Sequence, residues 1–454
     1  MRSRVRAWIM VGLGLGPGLG VACGDDGPTQ TPDDSTGSDA STSGPTDPTT
    51  TSGPEDTSGG SGTSGDSTTG ADSTTGDALP DYTDSPCWGE ASSTSVYNGM
   101  THMTEQTPAT CRAEGDRVLL YVADSLWEGA VDQAAVNGLM HQLELFSPAG
   151  SVDPDQGVVP NDEAVFGPLD EGDFPQGKLE IFVVDTNGGG DGYLCSWCTY
   201  PQLHLDGTVL QPLDDAYSVS IAAHETYHVI HEAYDANETM WVDESLAEAA
   251  MTANGFFTDT AWLDDFAADP DQNWGPGSPA LGGFNYGAAL LWGSFLWERG
   301  GAPLMTAITA EPTDGWVGLD AALDAVGDDR DAFDLYLDMI VAAYLDDPGA
   351  GYGFTSFEVP PMAVAGDLMV GSAEAGSLSE YGIDYWDVLD TGMLTIDLAA
   401  TGAEPVVGQA VVVTGGGVQV IPLGPATPVD ATGASAVFVA LTARDVATYD
   451  LSVN

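Results

Sequence analysis

The chain is poor in positive charge: its 454 residues include 9 Lys+Arg against 70 Asp+Glu. Three of the nine (Arg2, Arg4 and Arg6) sit together at the extreme N-terminus, so the rest of the chain has no basic patch. Nucleic acid and anionic membrane surfaces, which are bound through clustered lysine and arginine, are poor partners for such a surface. The acidity itself reads as a solvating exterior. Long apolar runs are missing as well. Beyond the N-terminus no stretch has the roughly 18 unbroken apolar residues of a membrane span. From Gly24 to about Leu79 there is neither an aromatic nor a basic residue, only Ser, Thr, Gly, Asp, Pro and a few others, with Asp66-Ser-Thr-Thr-Gly repeated at Asp72. Such a segment cannot bury enough apolar surface to fold. As a flexible chain of about 60 residues it reaches roughly 40–45 Å and reads as a tether.

The N-terminus has the form of a targeting segment. Arg2, Arg4 and Arg6 precede an apolar run from Ala7 to Leu19, followed by Gly20-Val21-Ala22-Cys23. Small residues before a cysteine resemble a bacterial lipobox, with Gly20 where leucine is commoner. The resemblance implies that Cys23 becomes the lipidated first residue of a cell-envelope protein; secretion without the anchor is the alternative. Cys87, Cys111, Cys195 and Cys198 remain, and four cysteines in an exported chain suggest two disulfides. The simplest pairing joins Cys87 to Cys111 and Cys195 to Cys198. Cys195-Ser196-Trp197-Cys198 also has the form of a redox C-x-x-C or half a zinc site, but no second C-x-x-C exists.

Four regions follow: a signal peptide at 1–22, an anchor and linker at 23–80, a catalytic domain at 81–360 and an accessory domain at 361–454. In the third, Arg117 to Val122 and Lys178 to Val184 are predicted strands, and Leu126 to Phe146 has helical apolar spacing. The loop after the second strand carries Asp185, Asn187 and Asp191. These could hold calcium but do not fit the twelve-residue EF-hand pattern, so a plain glycine loop is preferred. From Val219 to about Leu345 the pattern is helical, with Trp241, Trp262, Trp274, Trp292, Trp297 and Trp316 expected in the core. After Pro360-Pro361 come short β-branched runs: Leu394–Leu398, Val406–Val413, Val418–Leu423, Ala436–Leu441 and Tyr449–Val453. They predict a β-sandwich. It contains no His or Cys and is given no catalytic part. The expected fold is an α+β catalytic domain, a small sheet over an active-site helix with a helical lobe after it, followed by an all-β domain.

The helix in question contains His224-Glu225-Thr226-Tyr227-His228. Histidines four apart on a helix lie on one face, one turn apart, and can share a zinc ion while Glu225 takes a proton from water. A catalytic zinc needs a third protein ligand and an open position. Candidates are His231, Asp235, Asp243, Glu244 and Glu248. His231 lies about 10 Å along an unbroken helix from His224, too far to share the ion, and no glycine after His228 breaks the helix. It reads as a histidine that supports the ligands from behind or lies at the surface. Trp241 to Met251 predicts a second helix that returns over the first, so that Glu244 reaches the histidines. Glu248, one turn on, can then accept the N–H of a ligating imidazole.

H-E-x-x-H followed by Trp241-Val242-Asp243-Glu244-Ser245-Leu246-Ala247 resembles the gluzincin clan of zinc metallopeptidases. It is similar to hyicolysin-type peptidases and to the thermolysin-like module of membrane-alanyl-type aminopeptidases. The resemblance implies His224, His228 and Glu244 as ligands of one Zn2+ and Glu225 as general base. It also implies an oxyanion-binding tyrosine at Tyr286, in Tyr286-Gly287-Ala288-Ala289-Leu290-Leu291. Tyr352, Tyr381 and Tyr385 are rivals for that role. The aminopeptidases' G-x-M-E-N motif is absent, which favours endopeptidase action on a peptide or protein substrate. Two alternatives are a non-catalytic binding lipoprotein with the same fold and a zinc hydrolase of a non-peptide or cell-wall bond.

Overall fold

The computed structural model describes residues 79–169, 172, 174, 176–258, 260–272 and 286–454. The signal segment, Cys23, nearly all of the linker and Trp274 lie outside the described residues. The first described strands are β1 (Ala91–Asn98), β2 (Met103–Glu114) and β3 (Val118–Ala123). After helices α1 (Gln133–Glu144) and α2 (Val158–Phe166) come β4 (Leu179–Val184), β5 (Gly192–Leu194) and β6 (Leu203–Asp206). They form one sheet in the order β1-β2-β3-β4-β6-β5. Strands β3, β4 and β6 are parallel, and β5 runs antiparallel to β6 at the edge. Every residue of β3 and β4 is buried, as expected of parallel strands covered on both faces; the one charged member, Glu180 of β4, accepts from Tyr200 OH at 2.7 Å.

Helix α1 starts at Gln133, seven residues after the expected Leu126, because Asp132 caps it by accepting from Ala135 N at 2.9 Å. Residues 126–132 instead form a tight turn closed by a Trp127–Val131 bridge. Disulfides join Cys87 to Cys111 and Cys195 to Cys198. The first ties the segment before β1 to β2, and the second closes the β5–β6 hairpin.

Six helices follow: α3 (Ala216–Asp235), α4 (Met240–Ala253), α5 (Thr260–Ala268), α6 (Tyr286–Ala310), α7 (Gly315–Val326) and α8 (Ala332–Leu345). Asp215 starts α3 by accepting from Ser218 N at 2.8 Å. From Ser218 to His231 every residue of α3 is buried, on all faces, which places it inside the domain. Helix α6 bends where Gly301 adopts φ 57° ahead of Pro303. Trp241 and Trp292 are buried and both rings lie beside half-buried Trp316, with centroids 4.8 and 6.0 Å away.

The C-terminal strands are β7 (Gly366–Leu368), β8 (Ala373–Leu378), β9 (Ile383–Val388), β10 (Met393–Ala400), β11 (Val407–Thr414), β12 (Gly417–Pro422), β13 (Thr427–Asp430), β14 (Ala436–Thr442) and β15 (Ala447–Val453). They form a four-stranded sheet, β13-β10-β15-β8, and a five-stranded sheet, β12-β11-β14-β9-β7. Alternation explains the layering. Val437, Val439 and Leu441 of β14 join a core with Ile396, Tyr449 and Leu451 of the other sheet. Phe438 and Ala440, pointing the opposite way, join the core of the helical lobe. Tyr344 of α8 stacks on Phe438 with centroids 4.1 Å apart. The five-stranded sheet is thus a middle layer with two buried faces.

Helices α4 and α6 approach closely at Gly293, where an added Cβ would lie 1.7 Å from Ser245 O. Gly293→Ala forces backbone apart there, and the expected cost is about 3 kcal/mol or more. A denaturant midpoint equal to wild type would show that the helices can separate freely.

Candidate metal centre

Helix α3 brings His224 and His228 to one face, and residues 236–239 turn the chain back into α4. Glu238 pins that turn by accepting from Gly315 N at 2.8 Å and Thr239 Oγ1 at 2.7 Å. The antiparallel α4 then lays Asp243, Glu244 and Glu248 along the histidines. His224 Nε2 lies 3.1 Å from His228 Nε2 and 3.2 Å from Glu244 Oε2; His228 Nε2 is 3.8 Å from the same oxygen. Three donor atoms therefore converge on one point, and all three residues are buried. Two imidazoles and one carboxylate form a donor set suited to a divalent first-row cation.

The outer ring nitrogens are held in turn. His224 Nδ1 faces Glu248 Oε1 at 3.5 Å, and His228 Nδ1 faces Asp243 Oδ2 at 3.1 Å. His231 is buried, not at the surface. Its Nδ1 lies 2.6 Å from Asp243 Oδ1, and its ring lies 5.2 Å from that of Tyr227. Asp243, considered above as a ligand, instead links His228 to His231. Asp235 ends α3 outside this group, its Oδ1 accepting from Asn237 N. The Asp243 link was missed in the sequence although the signal was present: neighbours 243 and 244 on a helix differ by about 100°, so each can meet a different ring of a histidine pair.

Charge in this pocket is balanced internally. Burial alone would strip both rings of their protons, but Glu244 and Glu248 hold His224 up at about 10, and Asp243 and Glu244 hold His228 well above its ordinary range. Burial raises the three carboxyls; against it, the imidazoles pull Asp243 and Glu244 below the usual carboxylate range. Glu248 stays raised.

Glu225 lies between the two histidines in sequence and is buried. It abuts the edge of the sheet: a Cβ on Gly192 of β5 would lie 3.0 Å from Glu225 Cγ and 3.3 Å from its Oε1. No strand covers the outer side of β5 among the described residues. Tyr286 opens α6 with its ring 5.8 Å from that of Trp262. Of its rivals, Tyr385 donates to Ile340 O at 2.7 Å and Tyr381 stacks on Trp316, so both belong to the core beneath the middle sheet. Tyr352 bridges to Asp347. In the glycine loop, Asp185 accepts from Asn187 N and Asp191 from Tyr217 OH. A second group with ligand chemistry comprises Cys195, Cys198 and His204.

No family model and no curated protein matches the chain. Among solved structures, the pre-peptidase C-terminal domain of a Bacillus anthracis collagenase is similar at 10% identity and TM-score 0.15, over 21% of this chain and 100% of that one. The Yersinia pseudotuberculosis-derived mitogen aligns at 13% and TM-score 0.16, over 18% and 83%. A Salmonella Typhimurium periplasmic inhibitor of g-type lysozyme aligns at 7% and TM-score 0.13, over 20% and 100%. These scores are too low to indicate a shared fold. No helix among the described residues is long and apolar enough to cross a membrane.

A metal ion needs neutral imidazoles, so binding near pH 7 should displace protons, and affinity should rise with pH toward about 10. Calorimetry in buffers of unlike ionisation enthalpy should register proton release; affinity independent of pH would contradict it. By equilibrium dialysis, Glu244→Ala should lose the ion and Asp243→Asn should weaken it about 10–100-fold.

Proposed function

We propose that the chain is a zinc-dependent peptidase of gluzincin type, exported and anchored by a lipid on Cys23, that cleaves within peptide chains. The observation that carries this reading is the convergence of His224 Nε2, His228 Nε2 and Glu244 Oε2; Glu225, the residue after His224, packs against β5, the last strand of its sheet. A zinc ion held there would bring the pKa of a coordinated water to near 7 and polarise a carbonyl. Glu225 takes the proton of the attacking water and delivers it to the departing amine. The β5 edge offers backbone groups along which an extended substrate can align. Glu248 and Asp243 keep the two imidazoles turned with Nε2 inward, and Tyr286 is assigned to the developing oxyanion.

The two disulfides accord with an oxidising compartment, and the Ser/Thr/Gly tether with a protein held away from its membrane. The missing G-x-M-E-N motif favours endopeptidase over aminopeptidase action.

Glu225→Gln should abolish casein digestion and leave one zinc per chain; turnover surviving in that variant would remove Glu225 from the mechanism. A chelator should silence the wild type reversibly. Tyr286→Phe should lower kcat about a hundredfold with little change in KM, and an unchanged kcat would pass the role to another donor.

A further inference from the structure

The β5–β6 hairpin carries a second cluster whose chemistry the proposed reaction does not use. His204 of β6 is fully buried, in register with Tyr193 of β5, and lies edge-on to the rings of Tyr193 and Phe182 with centroids 4.7 and 5.8 Å away. Its Nε2 lies 2.8 Å from Thr94 Oγ1, and that hydroxyl donates to Gln202 Oε1 at 2.7 Å. The hydroxyl has only one proton. Thr94 therefore accepts from His204 Nε2–H, and Nδ1 is the nitrogen with a lone pair. Nδ1 is buried with no hydrogen-bond partner, an arrangement that ordinarily costs stability. Burial pulls the imidazole down to about 3, so it is neutral near pH 7, as a metal ligand must be. A ring nitrogen of His204 and the sulfurs of Cys195 and Cys198 all lie within 4.8 Å of one another.

We propose that reduction of Cys195–Cys198 converts this hairpin into a thiophilic metal site, with Cys195 Sγ, Cys198 Sγ and His204 Nδ1 as ligands for an ion of the Zn2+ or Cu+ class. Two thiolates and an imidazole form a soft N/S set, distinct from the N/O set of the histidine–glutamate centre. Cys198 is half-buried beside exposed Ser196 and Trp197, whereas Cys195 is inaccessible. A dithiol reductant therefore attacks Cys198 Sγ. The S–S bond breaks, Cys195 leaves as thiolate, and the reductant's second thiol resolves the mixed disulfide. The reductant ends as its own disulfide, and the protein has gained two electrons and two protons. Metal binding then releases both thiol protons.

Co2+ titrated into the full chain, oxidised and dithiol-reduced, tests this by the thiolate-to-cobalt charge-transfer band, to which the sulfur-free histidine–glutamate centre contributes nothing. The band is expected only after reduction. Cys198→Ser should abolish it, and reduced His204→Gln should bind Co2+ at least tenfold more weakly; the half-exposed serine variant serves if the buried glutamine variant unfolds. No band in the reduced wild type overturns the proposal. So does a band that persists unchanged in Cys198→Ser, since it then arises from the chain's other cysteines.

Discussion

Helices α3 and α4 are held face to face by an exchange of charge. Three imidazoles, His224, His228 and His231, meet three carboxylates, Asp243, Glu244 and Glu248, in a region that is buried except at the partly exposed Asp243. Taking such groups out of water costs several kcal/mol for each ion unless partners compensate. Here every ring has a carboxylate and every carboxylate a ring. Buried charge pairing of this kind gains little stability over an apolar core but fixes geometry. The register of α4 along α3 follows from it, because a shift of one residue would separate Glu244 from both Nε2 atoms.

The surrounding structure serves that register. Gly293 lets α6 press against the back of α4, the clustered tryptophans fill the space behind it, and Glu238 sets the length of the turn. On the other side α3 lies under the sheet, so Glu225 comes to its edge. His231 extends the network by one member and is linked to His228 through Asp243.

Much of this was legible in the sequence, for identifiable reasons. The His224–His228 spacing fixes a helical face, and the Trp241–Met251 pattern fixes a second helix that can return to it; both rest on local periodicity. The strands at 117–122 and 178–184 are short, largely apolar runs and were equally plain. What stayed hidden depended on tertiary contact. β5 is only three residues long and has no pattern of its own. β8, Ala-Glu-Ala-Gly-Ser-Leu, has little apolar content and is a strand because β15 pairs with it. The Asp243–His231 contact joins residues twelve apart across a helix turn. His204 shows as a possible ligand only once β6 lies beside the Cys195–Cys198 hairpin.

The middle sheet has a consequence for how the chain behaves when cut. An accessory module usually hangs from a linker, and cleavage of that linker releases it. Here residues 358–365, which lie outside any helix or strand, connect two parts that share one apolar core through Phe438, Ala440, Val411, Ile383 and Tyr385. A nick in this segment would break the covalent link and leave the apolar contact intact. The two fragments would stay together as a heterodimer does, by an interface resembling a domain core cut in half, and the C-terminal strands would leave only when the helical lobe itself unfolded.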